Sequence, residues 1–186
     1  MAGGVCFFIK AQLQTEIDKT PKSMVKFDFL ANNEKAIPIL ADWYFQEWGY
    51  LSKGINFEDV TAKLQAYLNS DKLPLILLAA EHGEILGAGQ LKYREMDIYP
   101  EKEHWLGGVY VAINHRGKGI GESLINQITS IALQMGVQKL YLQTQHPGGG
   151  LYSRLGWQAI EKVNYHGLDV LVMEKNITGI AIFETR

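Results

Sequence analysis

The sequence predicts an α/β (α+β) domain in which a mixed central sheet of six to seven strands is flanked by helices. Segments 75–81 and 84–93 are apolar strands on either side of a His-Gly turn, which predicts an antiparallel hairpin. A later strand at 105–113 is separated from another at 139–144 by an amphipathic helix. Such a helical crossover makes the two strands parallel, so the sheet combines both kinds of pairing.

Size and composition fit one globular domain. The chain has 186 residues, of which 47% are hydrophobic and 20% charged, and this excludes disordered and coiled-coil classes. The formal net charge is -2 and there is no long basic run, so no nucleic-acid partner is expected. The only cysteine, Cys6, excludes an internal disulfide and favours a reducing, cytoplasmic location.

No membrane association is expected. The apolar run at 5–9 follows no basic residue and is too short for a signal peptide. The run at 73–80 contains Pro74 and is far shorter than the roughly 20 residues of a spanning helix. The sequence leaves open whether the protein is a monomer or a homodimer.

The N-terminal half contains an extension, a strand and two helices before the hairpin. Residues 1–23 are expected to be an N-terminal extension, and 25–30 alternate as a strand does. Segment 34–48 has a helical apolar stripe. Asn56 is expected to cap a second helix, with Asp59 in its first turn. Gly87 and Gly89 predict a bulge or bend in the return strand of the hairpin.

The C-terminal half carries the clearest helix. Its apolar positions recur at three- and four-residue spacing up to Gly136, and they are Leu124, Ile125, Ile128, Ile131, Ala132 and Met135. After the strand at 139–144 come a flexible loop at 146–150 and a short helix at 151–155. Segments 157–160 and 168–174 are the last predicted strands, and 177–186 form an apolar tail.

A glycine-rich turn at 114–121 lies between the strand at 105–113 and this helix. The helix N-terminus offers free N–H groups and a favourable dipole, and glycines let a phosphate approach the backbone. Arg116 and Lys118 add positive charge. The pattern therefore indicates an anion site, although a plain tight turn before a helix has the same form.

Two common phosphate motifs fail on spacing. A P-loop requires glycine at position 112 and Ser or Thr after Lys118, where the chain has Ala112 and Gly119. A dinucleotide fingerprint beginning at Gly117 requires a glycine where Glu122 stands. The pattern that fits is Arg/Gln-x-x-Gly-x-Gly/Ala, supplied by Arg116, Gly119 and Gly121.

With this turn, the chain resembles the GNAT (GCN5-related N-acetyltransferase) superfamily. A second element supports the likeness, because Tyr152, Leu155, Gly156 and Trp157 match the family's Tyr-x-x-Leu-Gly-Phe/Trp pattern downstream. The order of elements agrees from about residue 25 to 175. The resemblance implies the GNAT fold, in which splayed parallel strands form a slot for an acyl-CoA. It also implies an N-acetyltransferase domain at 24–176.

The resemblance implies where acetyl-CoA, the co-substrate, binds. The turn would hold its pyrophosphate through Arg116, Gly117, Lys118, Gly119, Ile120, Gly121, Glu122 and Ser123. The preceding strand would pair with its pantetheine arm through Val109, Tyr110 and Val111, with a bulge at 107–108 splaying the strand. An asparagine that many relatives carry is absent from 143–150, and Glu122 would place an acidic group near phosphates.

The implied reaction is transfer of an acetyl group to a primary amine by direct attack in a ternary complex. A backbone N–H of Val109 or Tyr110 would stabilise the oxyanion. Tyr152 would protonate the departing thiolate, or would merely pack in the core. Glu103 is the expected general base, or is a solvated loop carboxylate. The rivals for the base are a water chain, Glu95, Asp97, Glu101 and His104.

The acceptor amine stays open between a small molecule and a peptide or protein. Phe45, Trp48 and Tyr50 are expected to form its pocket, unless they are core or interface residues. His146 is a further residue that could reach it. The five histidines lack metal-ligand spacing, so no metal is expected. The alternative function is a non-catalytic module that binds or senses an acyl-CoA.

Overall fold

The computed structural model describes residues 24–49 and 54–177. Within them, seven strands form one sheet in the order β1-β2-β3-β4-β5-β7-β6. The strands are β1 (Lys26–Phe29), β2 (Leu75–Glu81), β3 (Glu84–Tyr93), β4 (His104–Val111), β5 (Lys139–Thr144), β6 (Gln158–Tyr165) and β7 (Leu168–Asn176). β4 and β5 are parallel and the other neighbours are antiparallel. The predicted mixed sheet is therefore confirmed.

Four α-helices accompany the sheet in the described residues: α1 (Ile37–Trp48), α2 (Phe57–Gln65), α3 (Ile120–Gln134) and α4 (Leu151–Arg154). The predicted cap of α2 is present, because Asn56 Oδ1 accepts from the Asp59 N–H while the Asp59 carboxylate accepts from the Asn56 N–H. The reciprocal bonds satisfy two otherwise free amides at the start of the helix.

Several predicted boundaries were wrong. The helix expected at 34–48 begins with a 3-10 turn at Glu34–Ala36, before Pro38 in the first turn of α1. The strand expected to reach residue 113 ends at Val111, and a 3-10 turn occupies Ile113–His115. The strand expected at 157–160 continues to Tyr165 because the hairpin turn lies at His166 and Gly167, both with positive φ. The predicted extension at 1–23 and the tail beyond Ile177 lie outside the described residues.

The sheet separates two apolar layers. On one face the buried side chains of α3, including Leu124, Ile125 and Ile128, pack with Leu77, Leu106 and Leu140 of the strands. On the other face α1 and α2 contribute Leu40, Tyr44 and Leu64, which pack with Ile76 and Leu78. Burying each such side chain contributes about 1.5–3 kcal/mol, so the two layers hold the helices on the sheet.

A bulge in β4 separates it from β5. Gln90 pairs with Gly107 and Ala88 pairs with Tyr110, so Gly108 and Val109 together lie opposite Gly89. β4 and β5 are in register only at Trp105 and Tyr141. The two parallel strands therefore meet at one end and part at Gly107, as the family resemblance implied for residues 107–108. This leaves a gap in the middle of the sheet.

None of the helices in the described ranges combines the length and the apolar character needed to cross a bilayer.

Candidate active site

A cleft of about 560 Å³ begins at the N-terminus of α3 and follows β4. Its lining comprises the glycine turn, the last residues of β4, the end of α1 and the short helix α4. The residues are Glu47, Trp48, Val109, Tyr110, Val111, His115, Arg116, Gly117, Gly119, Ile120, Gly121, Glu122, Leu151, Tyr152 and Arg154. The cleft thus joins the predicted anion site, the splayed strand and Tyr152. Of the predicted cofactor residues, Lys118 and Ser123 are exposed and do not line it.

The glycine turn presents its amides to this cleft. Gly117 and Gly119 have φ of +77° and +79°, and a Cβ on either would meet no atom within 4 Å. The Ser123 N–H donates to Gly119 O within the first turn of α3. In the described part of the chain, the amides from Gly117 to Glu122 have no backbone acceptor outside the helix. The turn and the helix dipole therefore suit a phosphate group.

The side chain of Arg116 is held beside the end of β4. Its Nε donates to Val111 O at 3.0 Å, and its guanidinium lies 5.3 Å from the centre of the Tyr110 ring. One terminal nitrogen is 3.8 Å from a carboxylate oxygen of Glu47 at the end of α1. This ion pair is half exposed, so it stabilises the free protein little, and an anion in the cleft can compete with Glu47 for Arg116.

Aromatic side chains of α1 surround Tyr110. Trp43 stacks on Tyr110 with ring centres 5.0 Å apart, and Trp48 meets it edge-on at 6.4 Å. Of the predicted acceptor pocket, Trp48 lines the cleft, Phe45 instead contacts Phe57 edge-on, and Tyr50 lies outside the described residues.

Glu95 bridges β4 and β5 where they part. Its Oε1 accepts from Gln143 Nε2 of β5 at 3.2 Å, and Lys92 Nζ is 2.6 Å from its Oε2. A Cβ on Gly107 would lie 2.6 Å from the same Oε2, so only glycine leaves room for the carboxylate against β4. Both charged side chains are 17% exposed.

Lys92 is a stable cation in this cluster. Burial alone would lower the pKa of its ammonium, but the attraction of Glu95, the nearby Tyr67 and the hydrogen bond to Glu95 outweigh burial and raise the pKa. The phenol of Tyr67 is buried close to both groups, and burial raises the pKa of Tyr67 as well. The Glu95 carboxylate, with one cation and one amide as partners, therefore has a fixed orientation, which a general base requires.

Tyr152, in the short helix α4, lines the cleft. Burial, with a smaller contribution from the charge of Glu95, raises the pKa of the Tyr152 hydroxyl to about 12. Its ring meets Trp157 edge-on at 6.2 Å, which fixes its direction. Among the described residues the hydroxyl has no hydrogen-bond partner. Tyr152 is therefore a neutral phenol with a proton free to donate.

The bulge is braced from α1. The Tyr44 hydroxyl donates to Gly108 O at 2.9 Å, across 64 positions of the chain. Gln90, which is 7% exposed, packs against Gly108 and hydrogen-bonds to the same hydroxyl. Gly108 itself has φ of +53°, a conformation that glycine adopts without strain.

Glu103 lies away from this centre. Its carboxylate is 56% exposed, is 3.8 Å from Arg94 and does not line the cleft. Its role as the base stays a prediction, one that the geometry does not favour. Among its rivals, Glu101 pairs with Lys102, the His104 ring stacks on Tyr93, and Asp97 is exposed. Glu95 alone of these rivals lies between the parted strands.

Sequence reasoning missed the partners of Glu95 and of the bulge. Lys92, Gln143, Gln90 and Tyr44 were passed over because each sits inside a strand or helix pattern that has its own structural explanation. One sequence feature indicated a special role for two of them: Gln90 and Lys92 are polar residues within the apolar strand at 84–93. His146 is exposed, with its Nδ1 accepting from the Gly148 N–H of its own loop. In the described ranges no group of three or more His, Cys, Asp or Glu residues could hold a metal.

Comparison with protein families gives a match to the acetyltransferase (GNAT) family over residues 37–157. The match includes α1, α2, the glycine turn and Tyr152. No curated protein matches the sequence.

Solved structures share the fold. The protein yncA of Salmonella typhimurium, described as an acetyltransferase and solved with its cofactor acetyl-CoA, is 17% identical with a TM-score of 0.64, covering 87% of this chain and 99% of its own. An aminoglycoside 6'-N-acetyltransferase complexed with coenzyme A is 16% identical with a TM-score of 0.67, covering 83% and 98%. Ribosomal-protein-alanine N-acetyltransferase from Brucella melitensis is 21% identical with a TM-score of 0.62, covering 82% and 99%. At these identities the likeness establishes the fold.

Proposed function

Because the chain belongs to the GNAT family of acetyltransferases, we propose that it is an N-acetyltransferase that moves an acetyl group from acetyl-CoA to a primary amine. The transfer is direct, with both substrates bound together. The observation that carries the proposal is the cleft that leads from the free amides of the glycine turn, along β4, to Tyr152.

The residues of the cleft suit acetyl-CoA. The amides from Gly117 to Glu122 and the dipole of α3 offer donors for a pyrophosphate, and Arg116 adds a cation. Val109, Tyr110 and Val111 border the space beside β4, where an extended arm can add to the open edge of the strand. Acetyl-CoA supplies an acetyl group activated as a thioester. Glu122 lines the cleft too, and its carboxyl group is the feature least suited to phosphates.

Glu95 acts as the general base. An amine acceptor is largely protonated at neutral pH and attacks only after losing a proton. The Glu95 carboxylate stands where β4 and β5 part, held by Gln143 and Lys92, and removes that proton. The nitrogen lone pair then forms the C–N bond to the acetyl carbon, and the first proton passes from Glu95 to solvent. The attacking nitrogen is positively charged after this step, and it loses its second proton to solvent as the tetrahedral intermediate collapses and the carbonyl re-forms.

Tyr152 acts as the general acid. As the C–S bond breaks, its electron pair stays on sulfur, and the Tyr152 hydroxyl donates its proton there. A phenol with a pKa of about 12 keeps that proton throughout the physiological range. Tyr152 regains a proton from solvent before the next turnover, so the products are an amide and free CoA.

The acceptor is a compound or protein with a primary amine. The names of the relatives cover an aminoglycoside and the alanine of a ribosomal protein, which shows how widely acceptors vary on one fold. Of the residues predicted for the acceptor pocket, Trp48 lines the cleft, and we assign it to contact the acceptor.

Thermal unfolding and an amine screen together test the proposal. Acetyl-CoA should raise the Tm of the protein, because a ligand that binds the folded state stabilises it. Free CoA should then appear when amines of different classes are added. Absence of any Tm shift would contradict the whole proposal. A shift without turnover across amino acids, polyamines, aminoglycosides and peptide N-termini would favour a binding or sensing module.

A further inference from the structure

We propose that Tyr44 is a positioning residue that aims the Val109 N–H at the acetyl carbonyl. The inference rests on the proposed function. Tyr44 itself contacts neither acetyl-CoA nor the acceptor. It acts through the peptide bond between Gly108 and Val109.

The geometry of one peptide unit links the two residues. The Tyr44 hydroxyl donates to Gly108 O at 2.9 Å. Gly108 O and the Val109 N–H belong to the same planar, trans peptide, in which the C=O and N–H bonds point in opposite directions. A carbonyl held towards α1 therefore turns the Val109 N–H away from α1. Val109 lines the cleft, and we assign its N–H to that side.

Strand pairing alone does not fix the orientation of the peptide between Gly108 and Val109. Gly107 and Tyr110 pair in register with Gln90 and Ala88, while Gly108 and Val109 lie between these pairs in the bulge. The strand ladder thus does not fix their peptide plane. Gly108 is also a glycine with φ of +53°, and glycine permits the alternative rotations that a side chain would forbid. Without Tyr44, the plane can turn and point the carbonyl, an acceptor, where a donor is required.

Gln90 is a second residue that holds the Tyr44 hydroxyl in position. It is the one buried polar residue of the core in the described ranges, at 7% exposure, and its side chain hydrogen-bonds to the Tyr44 hydroxyl. A Cβ on Gly108 would lie 2.6 Å from Gln90 Cδ, so the bulge, Gln90 and Tyr44 fit only as a set. Tyr44 is itself 7% exposed and contacts the ring of Trp48 at 5.2 Å, which keeps its hydroxyl in place.

The Val109 N–H then donates to the carbonyl oxygen that gains negative charge as the amine attacks. Fixed donors of this kind are more effective than mobile ones, because no reorganisation is needed during the reaction. Tyr110, back in register opposite Ala88, is the less available of the two predicted donors.

The Kd values of two CoA derivatives, compared in the absence of an acceptor, measure the hydrogen bond from the Val109 N–H to the acetyl carbonyl. S-ethyl-CoA differs from acetyl-CoA mainly by lacking the carbonyl oxygen. We expect the parent to bind acetyl-CoA about three- to ten-fold more tightly than S-ethyl-CoA, the effect of one neutral hydrogen bond. Tyr44→Phe should bring the ratio close to one with little change in the Kd of S-ethyl-CoA. The milder Gln90→Met should lower the ratio in the same direction.

Thr129→Val is the matched control. It also removes a hydroxyl that donates to a backbone carbonyl, here Ile125 O at 2.7 Å in the middle of α3. It should keep the parental ratio. With an acceptor, Tyr44→Phe should lower kcat at least ten-fold while the KM for acetyl-CoA changes less than three-fold.

The outcomes separate this inference from the proposed function. If the parent binds neither carrier, the proposed function fails. If the parent binds both equally, or if folded Tyr44→Phe and Gln90→Met proteins keep the parental ratio, the role of Tyr44 is wrong while acetyl-CoA binding stands. Far-ultraviolet circular dichroism of each variant confirms that the compared proteins are folded.

Discussion

Gln143 donates from β5 to the carboxylate of Glu95 at 3.2 Å, in the gap that opens between the two parallel strands. Lys92 of β3 holds the other carboxylate oxygen, so Glu95 is fixed by partners from β5 and β3. A carboxylate in this position lies beside Gly107, one residue before the bulge.

Glu95→Gln should lower kcat about 10²- to 10⁴-fold at neutral pH, because the amide cannot accept the proton of the attacking amine. The Kd of acetyl-CoA should change less than three-fold, since Glu95 does not line the cleft of the glycine turn. Steady-state kinetics with a responsive amine, and calorimetry for the Kd, measure the two effects.

Glu103→Gln is the matched control and also tests the base predicted from sequence. Its carboxylate is more than half exposed and faces Arg94, so we expect turnover within two-fold of the parent. A large loss in this variant with an active Glu95→Gln would restore Glu103 as the base and refute the assignment of Glu95.

Gly119→Ala and Gly136→Ala form a pair at opposite ends of α3. Both glycines have positive φ, at +79° and +82°, and both have open space where the methyl group would go. Each substitution should cost about 1–2 kcal/mol in the free energy of unfolding, since alanine is strained in this conformation. Only Gly119→Ala should weaken CoA binding, by at least ten-fold, because its methyl group occupies the anion site. Equal Kd values in the two variants would exclude the turn as that site.

Tyr152→Phe should lower kcat about 10²-fold with little change in the KM for acetyl-CoA, because the variant has no proton to give to the departing sulfur. The loss of kcat should be smaller with a thioester whose leaving thiol is more acidic, because that thiolate depends less on proton donation by Tyr152. Tyr93→Phe, at a tyrosine that is 54% exposed and outside the cleft, serves as the control. Full activity of Tyr152→Phe would remove the residue from its role.

The same substitution should change stability at alkaline pH. Burial raises the pKa of Tyr152 to about 12 in the folded protein, from about 10 in an unfolded chain. This stabilisation is therefore complete below about pH 10 and is lost as the pH rises through about 12. Between about pH 9 and 11, Tyr152→Phe should lose about 1 kcal/mol less than the parent in urea unfolding. Parallel stability curves would show that the hydroxyl is not buried.

The ends of the β2–β3 hairpin and of β5 were predictable to the residue. Their signals are local: alternating or continuous apolar runs bounded by a turn such as His82-Gly83. The capping box of Asn56 and Asp59 and the glycine turn before α3 are local as well. Boundaries were missed where the deciding feature was a 3-10 turn, as after Val111, which has no strong sequence signature.

The carboxylate that we propose as the base was not predictable in the same way. Glu95 and Glu103 lie in one acidic stretch, and their sequence contexts differ little. The difference arises because β4 folds back beside β3, which turns Glu95 towards Lys92, Gly107 and Gln143 and leaves Glu103 beside Arg94 in solvent. Residues of β3, β4 and β5 surround the Glu95 carboxylate, and a sequence pattern within one of these strands cannot predict contacts among all three.

The sequence alone determined the kind of fold, the glycine turn before α3 and the family, because periodicity, glycine spacing and a short tyrosine motif are properties of neighbouring residues. Only the tertiary structure decided which carboxylate enters the gap and which hydroxyl orients the bulge. Tyr44 reaches Gly108 across 64 residues. Such a contact depends on sheet order and helix packing, since burial leaves that hydroxyl and that carbonyl few other partners.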